Sequence, residues 1–365
     1  MQRFVILTIL SFLLIVTIGC QSGGGYVIGY AAPMTGESAK MGEDISKGVM
    51  LAVDEWNAKG GINGKKISLE GFDDRADPKE AVSVAQRAVS KGVRGVVGHY
   101  NSSCTIPASD LLDEAGVIMI TPASTNPQVT SRGLKHVFRT CGRDDQQGKV
   151  MANAVTAVGK SKVAILHDKT TYGQGLSEEF KKNLTSASEI VIFEAIQRGD
   201  KDFSAILTKV KSLSPDYLMF GGLYPEGGLL AKQMRDLGMN TILVSGDGTY
   251  DQEFVRIAGS AAEGAWLTYA PPADEIPSAQ SFIKNFKAKY GEMGPYSLFA
   301  YDAANILLGA MAKNPKANGD ELANLIRTNA WDAASGRIEF DANGDPKNAP
   351  YVLWTVKEGK LVVVK

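Results

Sequence analysis

Histidine and cysteine are both scarce, with three of each in 365 residues. His99, His136 and His167 stand at no metal-ligand spacing, which leaves no metal centre to expect. No Gly-x-Ser-x-Gly elbow is present, and the pairs Gly221-Gly222 and Gly227-Gly228 miss both the dinucleotide and the phosphate-loop spacings. Hydrolase, nucleotide and cofactor chemistry therefore have no sequence signal. Neither sign of charge dominates, Lys plus Arg numbering 39 against 40 for Asp plus Glu, so nothing favours a nucleic-acid partner. No repeat of solenoid period occurs, and the apolar run Phe4 to Ile18 is short for a membrane span.

That run reads instead as a secretory leader. Arg3 precedes it, Gly19-Cys20 follows, and Gln21-Ser22-Gly23-Gly24-Gly25 forms a polar, flexible tether. Thr17-Ile18-Gly19-Cys20 resembles a bacterial lipoprotein box with Thr where Leu is more usual. The expectation is a signal peptide over 1–19, a lipidated Cys20 with a tether over 20–25, and an exported, membrane-anchored product. Cys104 and Cys141 remain; they either pair or lie buried as small apolar groups.

What is present is a long alternation of strand-like and helix-like stretches, in a chain too long for one ordinary core. Val27–Ala31, Lys66–Phe72, Arg94–Val97, Val117–Ile120 and His136–Thr140 read as strands. Asp77-Pro78-Lys79-Glu80 opens a helix with Asp as cap and Pro at the first helical position. A second alternation has strands at Val163–Leu166, Ile190–Ala195, Tyr217–Phe220 and Ile242–Val244, with helices at Leu176–Leu184, Phe203–Leu213 and Leu229–Leu237. Two doubly wound α/β lobes follow. Beyond Pro271-Pro272 come three helices, a short strand at Arg337–Phe340, a turn at Asp341–Asp345 that mimics the start of a calcium loop without its distal Glu, and a terminal hairpin.

The stretch from Val96 to Pro127 organises the first lobe. Two buried strands spill into Gly98–Thr105 and Thr121–Pro127, loops rich in Ser, Thr and Asn, with a helix expected over Ile106–Ala115. Open parallel sheets bind ligands at the carboxyl ends of their strands, and a helix start there aims free N–H groups at a small anion. The same residues also serve as caps and turns. Collected from both lobes, the strand ends offer Ser102, Ser103, Ala123, Ser124, Thr125, Tyr172, Leu223, Tyr224 and Asp247. Hydroxyl donors facing one carboxylate across an apolar wall suit a zwitterion with an uncharged side chain. Asp73 and Asp74 read as turn and cap residues, and His99 and His167 as packed or capping.

From Val27 onward the chain resembles the periplasmic leucine/isoleucine/valine-binding proteins, the solute receptors of branched-chain amino-acid ABC transporters. The resemblance rests on Asn57–Ile62, Asp73-Asp74 with Asp77-Pro78-Lys79, Gly98-His99, Pro107–Asp110, Ile120–Ala123, His167-Asp168-Lys169 with Tyr172-Gly173, and Lys201–Ser204. It implies a type I periplasmic binding fold, two lobes on a three-crossing hinge, with 26–143 plus 271–350 in lobe 1 and 144–270 plus 351–365 in lobe 2. It also implies carboxylate contacts from Ser102 and Thr125, a backbone carbonyl at Ala123, ammonium contact from Asp247, and walls from Tyr172 and Tyr296. The departures are Asp247 where Glu is common, Met41 and Leu223 at wall positions often aromatic, and Ala76 and Asn101 where the family's small disulfide falls. The function so implied is a monomeric, non-enzymatic receptor that needs no cofactor or metal. It closes on an aliphatic amino acid and delivers it to an ABC permease, the rival being a sensory or amide receptor on the same fold.

Overall fold

The computed structural model describes residues 25–364, so the expected leader and the Cys20 anchor lie outside the described residues. The first sheet has the order β2-β1-β3-β4-β5, formed by Tyr26–Ala32 (β1), Ile67–Asp73 (β2), Gly95–Gly98 (β3), Ile118–Thr121 (β4) and Val137–Arg139 (β5). All four pairings are parallel. The short strands β3, β4 and β5 are buried throughout, as strands covered by helices on both faces must be. The covering helices include Ala39–Ala58 (α1), Pro78–Ser90 (α2) and Ser102–Glu114 (α3). Strand order reverses between β1 and β3, which opens a crevice at their carboxyl ends.

The second sheet has the order β14-β13-β10-β9-β8-β6-β7. Its parallel part is Ser161–His167 (β6), Ser188–Ala195 (β7), Tyr217–Gly221 (β8), Ile242–Ser245 (β9) and Trp266–Tyr269 (β10). Helices Asp144–Ala157 (α4), Thr171–Asn183 (α5), Ser204–Ser212 (α6), Tyr224–Asp236 (α7) and Gln252–Ala258 (α8) alternate with those strands. The chain then returns to the first sheet with Gln280–Tyr290 (α9), Ser297–Lys313 (α10), Gly319–Thr328 (α11) and the small hairpin Trp331–Ala333 (β11) and Gly336–Ile338 (β12). Val352–Lys357 (β13) and Lys360–Val363 (β14) rejoin the second sheet in antiparallel pairing.

The two doubly wound lobes and the three crossings are thus as expected. The first crossing, at Gly142, lies against the third: a Cβ there would run into the Tyr351 ring. The second and third run side by side, because β10 and β13 pair from Trp266↔Thr355 to Tyr269↔Val352.

Three helices begin earlier than their apolar periodicity indicates. α3 starts at Ser102 rather than Ile106, capped by the extended backbone of Asn101. α5 starts at Thr171 rather than Leu176, where the Thr170 hydroxyl accepts the Gly173 N–H at 3.0 Å. α7 starts at Tyr224 rather than Leu229, with Pro225 in its first turn. Their first turns carry Gly, Pro, Ser and Thr, which give caps rather than apolar rhythm. β10, α8 and β11 have no counterpart in the expected elements, while β12 falls on the short strand expected at Arg337–Phe340.

Cys104 and Cys141 are both free and buried, so the pairing alternative does not hold. α1 and α10 pack closely at Gly48, where a Cβ would strike the Ser297 carbonyl and come 3.0 Å from Ala300 Cβ. Gly48→Ala should therefore lower the unfolding free energy by about 1–3 kcal/mol through overpacking, read from a denaturant melt. An unchanged midpoint would mean that the two helices can separate freely there.

Candidate functional site

The carboxyl ends of both sheets face one cleft, and in this structure the lobes meet across it. Asn126 Nδ2 donates to the Thr171 carbonyl at 2.9 Å, and the Tyr224 hydroxyl to the Glu37 carbonyl at 2.9 Å. At the rim Arg198 Nη2 reaches Ser38 Oγ at 3.2 Å, and Lys201 pairs with Glu37 at 2.6 Å.

Asp247 stands at the centre, on the turn after β9, and is 4% exposed. Tyr172 from α5 donates its hydroxyl to Oδ1 at 2.9 Å and accepts the Gly248 N–H at 2.9 Å. Tyr296, at the start of α10 on the opposite lobe, donates to the Asp247 carbonyl at 3.2 Å and to Oδ2 at 3.3 Å. Asp247 is therefore held from both lobes. Burial pushes its pKa up, and the hydrogen bonds from Tyr172 and Tyr296 oppose that shift.

On the first-lobe side, Ser102 opens α3 and its Oγ accepts the Asn126 N–H at 3.3 Å. Thr125 is fully buried, and its hydroxyl has no partner among the described residues. The Ser124 hydroxyl is engaged by protein on every side: Thr105 Oγ1 at 2.5 Å, the Tyr100 carbonyl at 2.9 Å and the His99 carbonyl at 3.2 Å. Ser124 thus joins the two loops, while Ser102 and Thr125 keep capacity for a ligand. Ala123, Met41 and Leu223 are buried as well. The Tyr224 hydroxyl is committed to the lobe contact rather than to the interior.

Sequence reasoning missed three residues here. Asp144, the first residue of α4, is fully buried with neither carboxylate oxygen partnered among the described residues, and the same is true of the Gln147 side chain and the Tyr100 hydroxyl. Burial drives the Asp144 pKa well up, and the Asp247 charge raises it further. Burial and then the Asp247 charge act likewise on Tyr100, Tyr172 and Tyr296, which places all four groups around one carboxylate. Buried polar groups in native proteins are almost always satisfied, so such a cluster marks where a polar ligand would complete the bonding.

The histidines do structural work. His99 Nδ1 lies 2.6 Å from Asp74 Oδ2 with both side chains buried, and His136 Nδ1 lies 2.8 Å from Asp113. His167 Nδ1 accepts the Lys169 N–H at 3.2 Å. Asp73 works in the turn, accepting from the Met34 and Arg75 N–H groups at 2.9 Å each; Asp74 caps Ala76 at 2.8 Å and also holds His99. A cavity of about 760 Å³ opens beside the site. Asp247 and Tyr296 line it together with the hinge segments and the stacked pair Tyr250 and Tyr269, whose ring centres are 4.0 Å apart. The other expected contact residues do not line it, and each of them is buried.

Residues 25–360 match the family model described as periplasmic binding protein. A "Leu/Ile/Val-binding protein homolog 2" of Brucella abortus is 41% identical over 349 residues, covering 95% of this chain and 94% of that one. An "Amino acid binding protein" of Pseudomonas aeruginosa is 41% identical over 333 residues, covering 90% and 89%. Among solved structures, the leucine-binding protein LivK of Thermotoga maritima superposes with a TM-score of 0.85 at 32% identity over 93% of this chain and 98% of that one. The branched-chain amino-acid transporter substrate-binding protein LivJ of Streptococcus pneumoniae, solved with isoleucine, gives 0.86 at 30% identity over 93% and 99%.

The unpartnered acid yields a stability prediction. A carboxyl with a raised folded pKa contributes stability below its unfolded pKa and loses that contribution as pH rises through the folded value. The ligand-free protein should therefore lose stability as pH climbs from about 4, the ordinary Asp value. Asp144→Asn should raise its stability at neutral pH by about 1–3 kcal/mol, the scale of an uncompensated buried polar group, and flatten the profile. A lower melting temperature in the variant would show that the carboxylate is well paired.

Proposed function

The chain belongs to the periplasmic binding protein family, and on that premise we propose that it is an extracytoplasmic receptor that closes on an aliphatic amino acid and delivers it to an ABC permease. One observation carries the reading: a buried carboxylate, Asp247, is held by hydroxyls from both lobes, while at the strand ends of the first lobe the buried Thr125 hydroxyl is unpartnered among the described residues and α3 starts at Ser102. A carboxylate opposite hydroxyl donors is the recognition pattern for an α-amino acid. The names of the relatives point to the same ligand class.

In this reading Ser102 and Thr125 receive the α-carboxylate, while the Ala123 carbonyl and Asp247 receive the ammonium. Met41, Leu223, Tyr172 and Tyr296 wall the side chain, with Ser124 and Tyr224 bracing the loops around it. Charged side chains are disfavoured, because no wall residue offers a counter-charge and burying an unpaired ion is costly. Residues 26–143 with 271–350, and 144–270 with 351–365, act as the two closing bodies, and ligand contacts to both stabilise the closed state. The receptor works as a monomer without cofactor or metal, with no turnover of its ligand. Cys20 carries the lipid that keeps it at the membrane outside the cytoplasm.

Calorimetry on the mature chain tests the ligand assignment. Leu, Ile or Val should bind more tightly than any charged amino acid or sugar, and Asp247→Asn should weaken that binding by roughly 2–5 kcal/mol, the usual cost of breaking a buried charge pair. Parent-like affinity in Asp247→Asn would place the ammonium elsewhere. Independently, Cys20→Ser should release the mature chain to the soluble fraction or block its processing. A Ser variant that stays on the membrane at normal mature size would refute the anchor.

A further inference from the structure

The turn Asp341–Asp345 looks like a fragment of a calcium loop, but its last acid is turned to a different use. Asp345 is buried between two guanidinium groups. Its Oδ1 accepts Arg139 Nε at 2.6 Å and Thr130 Oγ1 at 2.7 Å, and its Oδ2 accepts Arg143 Nη1 at 2.6 Å. Asp341 Oδ1 fixes the turn by accepting the Asn343 and Asp345 N–H groups at 2.8 and 2.9 Å. Burial alone would raise the Asp345 pKa, yet Arg139, Thr130 and Arg143 hold it below the ordinary carboxylate value.

Arg139 is fully buried, and its remaining donors converge on one loop. Nη1 binds the Ser124 carbonyl at 2.7 Å; Nη2 binds the Asn126 carbonyl at 3.1 Å and Thr130 Oγ1 at 2.7 Å. The carbonyl between them, that of Thr125, accepts the Asp144 N–H at 3.0 Å. Three successive carbonyls are thus fixed, which also fixes where the Thr125 side chain and N–H point. Arg143, the other partner of Asp345, sits on the first hinge crossing immediately before Asp144.

We propose that Asp345 is a positioning residue for the ligand-carboxylate site: it holds Arg139, which sets the Thr125 loop, and through Arg143 it ties that loop to the hinge. This rests on the reading of Thr125 as a carboxylate contact. A buried guanidinium deprived of its counter-ion shifts or takes up water, and the carbonyls it held lose their registration.

Two measurements on Asp345→Asn, which keeps the shape and removes the charge, test it. In a double-mutant cycle read by leucine affinity, Asp345→Asn alone should weaken binding at least ten-fold. In a Thr125→Val background the same change should weaken it less than three-fold, because its effect passes through Thr125. Equal losses in both backgrounds would overturn the positioning role and leave general destabilisation. In the ligand-free protein, amides of residues 123–126 should exchange with solvent at least ten-fold faster in Asp345→Asn, with β6 and β8 unchanged; unchanged exchange at 123–126 would overturn the proposal whatever the ligand. Failure of the parent to bind any amino acid would reject the receptor reading while the exchange measurement still decides this one. Should Asp345→Asn not fold, Thr130→Val removes one hydrogen bond from each of Asp345 and Arg139 and carries the same two readings.

Discussion

A carboxylate buried between two lobes is the constraint on which this molecule turns. Asp247 is shielded from solvent when the lobes meet, and an isolated carboxylate in that setting is expensive. Tyr172 from its own lobe and Tyr296 from the other share the load with neutral hydroxyls, which leaves the charge itself uncompensated. In the proposed function, the ammonium of a ligand that enters as the lobes close supplies the missing compensation. Closure and capture are then one process, because the closed state gains from the ligand what the open state cannot.

The geometry that serves this charge comes from ordinary features of doubly wound sheets. Strand reversal between β1 and β3 leaves a crevice at their carboxyl ends, into which α3 directs its first turn. The second sheet presents the turn after β9 from across the cleft. Between them the three crossings run against one another, and the stacked Tyr250 and Tyr269 rings with Trp354 at their edge form an apolar wall beside the hinge. Rigid lobes with a compact set of crossings suit a motion confined to a few backbone torsions.

Much of this is legible in the residues. Each long buried strand announces itself by its apolar run, and the small-residue loops after β3 and β4 mark the binding edge by composition alone. The early turns of α5 and α7 are not legible, since Thr170, Gly173 and Pro225 carry capping chemistry rather than apolar period. Asp144 looks like one more acid at a helix start, where acids are common. Its burial follows from the hinge, which folds α4 back against the second lobe's turn at Asp247, a contact over about a hundred residues that no local pattern encodes. Arg139 and Asp345 are hidden for the same reason, their separation in sequence being 206 residues. The Tyr100 hydroxyl and the commitment of Ser124 to its neighbouring loop likewise depend on how two strand ends approach each other.

The most direct test of the account is a crystal structure of the mature protein with leucine. It should show the ammonium within hydrogen-bond distance of the Asp247 carboxylate and the α-carboxylate on Thr125 and the start of α3, with the lobes closed around both. Leucine seated instead in the aromatic cavity beside Tyr250 and Tyr269, with Asp247 touching only protein or water, would contradict it.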